Sequence, residues 1–177
     1  MKKTFKSLII AFILINCFLI VGCKNSNLDY IQVSKIYVSS TNANNNNTYE
    51  MRQLKIDIID YKNKTYNICE YGSIVSTIYK TNLEESKNGY FSNFTNEIPI
   101  YNEEYTIQVN LTIYYNGEYV NLTKENKIKI YKIDSSIRIK NIDTPAFAYA
   151  SLVDMQLSDN SNEHFQIILS AYEIEKN

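Results

Sequence analysis

The residue types that do most chemistry in proteins are scarce in this chain: one histidine, His164, and three cysteines, Cys17, Cys23 and Cys69, in 177 residues. A single histidine excludes zinc sites built on several, and no H-E-x-x-H stands anywhere. A Ser-His-Asp triad needs only one histidine, but no G-x-S-x-G elbow accompanies it. His164 opens the last predicted strand and is expected as a solvated residue at a turn edge. A catalytic thiol needs a basic partner. Cys69 lies in a strand-like stretch and is expected as a small buried apolar side chain. Carboxylates pair at Glu84-Glu85 and Glu103-Glu104. Neighbours in an extended chain face opposite ways, so neither pair makes an acid–base couple by itself. Asp159-Asn-Ser-Asn-Glu163 sets oxygen-bearing side chains at alternate positions, as calcium loops do, but lacks the glycine and distal acid of an EF-hand. The same residue types make an ordinary hairpin loop. No glycine-rich phosphate loop occurs. The expectation is a chain with no catalytic residue, no metal and no cofactor.

The elements that carry these residues are strands. From Tyr30 onward the dominant period is two. Leu54, Ile56 and Ile58 alternate with Lys55, Asp57 and Ile59. Tyr105, Ile107, Val109, Leu111, Ile113 and Tyr115 alternate with Thr106, Gln108, Asn110, Thr112 and Tyr114. Asn116-Gly117 comes next, a type I′ hairpin signal. A two-residue turn there pairs Ile113 with Val120 and Leu111 with Leu122, which puts both pairs on the apolar face. Further strands are expected at Tyr30–Val38, Met51–Asp60, Lys64–Tyr71, Ile74–Tyr79, Lys127–Ile133, Ser136–Ile142, Phe147–Leu157 and Phe165–Ile174. No amphipathic helix is predicted among them. The expected fold is all-β: an antiparallel β-sandwich, with an immunoglobulin-like arrangement as one version and a small barrel as another. The immunoglobulin Cys…Trp…Cys signature is absent.

Two stretches break the rhythm. Ser39 to Thr48, with Asn44 to Asn47, reads as a loop between two paired strands. Asn82 to Glu97 is longer and holds Tyr90, Phe91 and Phe94, a candidate ligand loop whose aromatics would otherwise fold back and plug one end of the sandwich.

Composition bounds the class. The chain is 45% hydrophobic and 21% charged, the balance of a globular protein with a core of its own. Its net charge of −1 hides an asymmetry: Lys2, Lys3 and Lys6 open the chain, and beyond them 15 basic side chains face 19 acidic ones. No long basic run occurs there, so a nucleic-acid partner has no electrostatic footprint. Abundant Asn, Ile, Lys and Tyr with only two arginines, Arg52 and Arg138, is the bias an AT-rich genome imposes.

After the basic start, Leu8 to Val21 form an apolar run of 14 residues interrupted only by Asn16, short of the roughly 20 that span a bilayer. This reads as an export signal. Ile20-Val21-Gly22-Cys23 then resembles the lipobox of bacterial lipoprotein precursors, which prefers Leu where Ile20 stands. The resemblance covers residues 1–23 alone; nothing beyond them resembles a recognised family. It implies diacylglycerol on the Cys23 thiol and cleavage by signal peptidase II between Gly22 and Cys23. One acyl chain anchors only reversibly; two or three hold firmly. The implied division is a signal peptide over 1–22, the lipidated Cys23 with a short tether to residue 29, and a single domain over 30–177. Lys24 to Asp29 reach at most about 25 Å, so the domain is expected close to the membrane. With Cys17 removed and Cys23 lipidated, Cys69 is left alone and no intrachain disulfide forms.

The functional expectation is an exported, lipid-anchored domain on a bacterial cell membrane or outer membrane. It would bind a protein or glycan of the envelope without catalysing a reaction. The alternatives are an anchored hydrolase whose site is scattered in sequence, and a structural or assembly subunit that pairs through a sheet edge.

Overall fold

A computed structural model describes residues 28–41, 49–78, 80–83, 95–101, 103–143 and 152–174. Within them lie β1 (Tyr30–Ser40), β2 (Glu50–Ile59), β3 (Thr65–Thr77), β4 (Lys80–Leu83), β5 (Ile98–Pro99), β6 (Tyr105–Tyr115), β7 (Glu118–Ile133), β8 (Ser136–Asn141), β9 (Val153–Gln156) and β10 (His164–Ile174). They form two five-stranded antiparallel sheets packed face to face. One runs β4-β1-β10-β9, with β5 also paired to β1; the other runs β3-β2-β6-β7-β8. The β-sandwich is therefore correct, and the barrel is not formed.

The alternation read from the sequence is what buries the core. On β6, Tyr105, Ile107, Val109, Leu111 and Ile113 are each at most 1% exposed. They meet Ile31, Val33, Ile36 and Val38 of β1 and Phe165 and Ile167 of β10 in one apolar cluster. Each such side chain, fully buried, contributes about 1.5–3 kcal/mol. The β6–β7 hairpin has the expected register, with Ile113 opposite Val120 and Leu111 opposite Leu122. Asn116 (φ 50°) and Gly117 (φ 88°) supply the left-handed pair that its turn requires.

Bulges explain where period two slips. The β1–β10 register shifts between Val33 and Lys35, and the β2–β3 and β2–β6 registers shift between Met51 and Gln53. Each extra residue reverses the parity of the strand beyond it, which lets both Val33 and Ile36, and both Met51 and Leu54, face inward. A further shift opposite Ile56/Asp57 leaves the consecutive Ile68 and Cys69 both buried.

Three expectations change. β1 and β2 are not paired; they lie in different sheets. Lys64–Tyr71 and Ile74–Tyr79 merge into the single strand β3, because Gly72 and Ser76 both stay on the β2 ladder. The second arm of the hairpin and Lys127–Ile133 likewise merge into the 16-residue β7. Of the expected Phe147–Leu157 strand, Val153–Gln156 is seen, and residues 144–151 lie outside the described part.

The corner between β5 and β6 is tied by one hydroxyl. Tyr105 Oη accepts the Tyr101 amide at 2.8 Å and donates to the Pro99 carbonyl. Pro99 in turn pairs with Tyr30, and the Ile100 amide donates to the Asp29 carbonyl at 2.7 Å. The start of β1, the β5–β6 corner and the ends of β2 and β10 thus share one end of the sandwich, here called the proximal end.

Candidate functional site

Gly22, Cys23, Glu84, Glu85, Tyr90, Phe91 and Phe94 lie outside the described residues. Cys69 is 1% exposed, and burial, with Glu70 beside it, pushes its thiol up to about 12. A thiol so protonated is no nucleophile at neutral pH. Glu103 and Glu104 are exposed just before β6. The Asp159–Glu163 stretch closes the β9–β10 hairpin: the Leu157 amide bonds to the Glu163 carbonyl, and Ser161 Oγ accepts the Glu163 amide, both at 2.9 Å.

His164 opens β10 as expected, but it has a partner. Its Nδ1 lies 2.7 Å from Asp154 Oδ1 across the β9–β10 ladder, and Gln166 Nε2 donates to the other oxygen at 3.3 Å. Both side chains are more than a third exposed. Thr41 is near, yet its Oγ1 bonds the His164 main-chain amide at 3.0 Å and not the ring. Among the described residues no three of His, Cys, Asp or Glu gather into a metal set.

A dense side-chain constellation lies at the proximal end and begins with a buried carboxylate. Asp60 directly follows β2 and is 4% exposed. Its Oδ1 accepts the amides of Lys62 and Lys64 at 2.8 and 2.9 Å, and Oδ2 accepts the Tyr66 hydroxyl at 3.2 Å. Asp at this position nucleates a tight turn by capturing amides that no strand satisfies. The turn closes with the Asn63 amide on the Asp60 carbonyl, Asn63 taking φ 62°. Asn adopts that conformation more readily than most residues.

What the turn presents is aromatic and cationic. Tyr61, 50% exposed, meets Tyr101 edge to face with centroids 4.8 Å apart, and Tyr101 stacks on Tyr105 at 6.1 Å. Lys62 Nζ lies 5.2 Å from the Tyr61 ring and 5.5 Å from the Tyr101 ring, and Lys64 Nζ lies 4.9 Å from the Tyr66 ring. The hydrogen bond and charge of Tyr61 raise the pKa of Lys62, with Tyr101 and Asp60 adding to it. Tyr66 is raised by burial and then by the Asp60 carboxylate, and burial also lifts Tyr101 and takes Tyr105 up to about 12. At neutral pH Tyr66, Tyr101 and Tyr105 are therefore neutral and Lys62 is charged. Such a tip can bury ring edges while its ammonium groups meet anionic oxygens.

Residues 61–63 fall between the expected strands Met51–Asp60 and Lys64–Tyr71, and the sequence reading missed this constellation. The signal available was Asp60-Tyr-Lys-Asn-Lys64 at the end of a strand candidate. Nothing local, however, could bring Tyr101 against Tyr61. No family model, no curated protein and no solved structure matches this chain.

Proposed function

We propose that this chain is the precursor of a bacterial lipoprotein, cut before Cys23 and held by lipid on that thiol, whose β domain binds a protein or glycan of the envelope and catalyses no reaction. The observation that carries the reading is the lipobox Ile20-Val21-Gly22-Cys23 at the end of a short apolar run, with only Lys24 to Asp29 between it and Tyr30, where the sandwich begins. The buried Cys69, its thiol held protonated, supports the non-catalytic part. Radioactive palmitate fed to producing cells should label the wild type and not Cys23→Ala; equal labelling of both rejects the anchor. Crosslinking in membranes followed by pull-down should recover a partner, and recovery of none from wild type counts against binding.

Strand order favours an immunoglobulin-like reading of the sandwich. With β1 as strand B, β2 as C, β3 as C′, β4 and β5 as a split E, β6 as F and β7 as G, the pairings B–E and C′–C–F–G of that fold are reproduced. Tyr105 then occupies the tyrosine-corner position at the start of F. Among the described residues no strand precedes β1, and β10 takes the place beside it. This arrangement hosts many functions and selects none.

A second reading, an anchored hydrolase, draws on the His164–Asp154 pair at 2.7 Å. It requires a nucleophile at the other ring nitrogen. A fluorophosphonate probe that labels the wild type but not His164→Ala would support it, and absence of labelling in both would remove it.

A further inference from the structure

We propose that the proximal end of the sandwich is a membrane-contact surface, seated in the headgroup region of the bilayer that holds the anchor. The proposal rests on the lipid-anchor reading.

Whatever its conformation, the chain from Cys23 to Asp29 spans at most about 25 Å. It joins the domain at Tyr30, so the proximal end is confined near the bilayer. The opposite end, marked by the Asn116-Gly117 turn, is a further 11 residues of β6 away, about 35 Å.

Tyr61 is 50% exposed beside the half-buried Tyr101, with Lys62 and Lys64 over tyrosine rings. The β7–β8 hairpin reaches the same end: Tyr105 pairs with Ile128, so Lys129 to Ile133 extend beyond the start of β6. Lys132 bonds Glu173 at 2.7 Å, next to the start of β1, and leaves Ile133 at the hairpin's tip, 51% exposed. Tyrosine with lysine is the residue pairing of membrane–water interfaces, where the ring sits at headgroup level and the amine reaches phosphate. Exposed Asp29, Glu103 and Glu104, and Asp134 in the turn beside Ile133, share this end and offset the lysines. The contact is therefore interfacial, through Tyr61, Tyr101 and Ile133, with the lysines orienting it, and it persists in high salt.

The test uses the lipidated protein, extracted from membranes and reconstituted into mixed zwitterionic and anionic vesicles that carry a headgroup quencher. A single environment-sensitive fluorophore is attached, in a Cys69→Ala background, at Ser135→Cys near the proximal tip or at Glu118→Cys at the far end. The expected result is loss of most fluorescence at 135 and none at 118, unchanged by salt. Replacing the exposed side chains together, by Tyr61→Ser, Lys62→Ser and Ile133→Ser, should restore fluorescence at 135 while the unfolding midpoint stays put. Equal quenching at both positions, quenching at 135 that survives the triple substitution, or quenching abolished by salt would each overturn the proposal. Failure of the anchor reading is distinct: the extracted protein then carries no lipid by mass.

Discussion

Removing a single oxygen, by Tyr105→Phe, tests whether the β5–β6 corner holds the proximal end together. The ring stays in place, stacked on Tyr101, and the side chain is only 1% exposed, so packing is nearly untouched. Two hydrogen bonds disappear, one from the Tyr101 amide at 2.8 Å and one to the Pro99 carbonyl. Each contributes about 0.5–1.5 kcal/mol net, and a buried polar group left without a partner costs about 1–3 kcal/mol. Tyr101 is half-buried and its amide can turn to water, whereas Pro99 is buried and cannot. The expected loss is therefore about 2–3 kcal/mol. Urea unfolding should show a lower midpoint with an unchanged slope. The melting temperature should fall by about 4–12 °C at this chain length. A loss below about 0.5 kcal/mol would mean that the hydroxyl is hydrated and the corner is held by packing alone.

Asp60→Ala strands two amides and the Tyr66 hydroxyl and should cost about 3 kcal/mol, whereas Asp60→Asn keeps an acceptor for the amides and should cost less; equal costs would show that the charge, not the turn geometry, matters. Alkaline titration of stability reads Cys69. Burial takes its thiol from the ordinary 9.0 to about 12, so the folded value exceeds the unfolded one. The stabilisation is complete below about pH 9 and is lost as pH rises from there toward about 12, the loss reaching about 2 kcal/mol at about pH 10.5. Cys69→Ala should flatten that part of the curve, and an unchanged slope would place the titration elsewhere. Gly117→Val forces a β-branched side chain to φ 88° and should destabilise by about 1–2 kcal/mol in chemical denaturation, with no effect refuting the turn.

The β6–β7 hairpin was legible in the sequence because everything that defines it is local: alternation on both arms, and a turn whose left-handed residues admit Asn116 and Gly117. The partners of β1 were not, because a period of two states which face is buried and never which strand lies alongside. Lys124 and Asn126 are polar residues at inward-parity positions of β7, between Leu122 and Ile128. In the structure Lys124 stays exposed on a groove between β7 and β9, and Asn126 donates to the Leu152 carbonyl at 2.8 Å, so the strand continues past both. At the candidate site, Asp60 could be read as a turn residue. Tyr101 lies forty residues from Tyr61, and only the crossing from β5 to β6 brings the rings to 4.8 Å. His164 was placed correctly at the start of its strand, but its partner Asp154 required the β9–β10 register.

The anchor itself is most directly tested by the intact mass of the protein extracted from producing membranes. The predicted species begins at Cys23 and carries diacylglycerol on its thiol, with or without a further acyl chain on its amino group. A chain that begins at any other residue, or one in which Cys23 is a free thiol, would contradict a lipid-held sandwich.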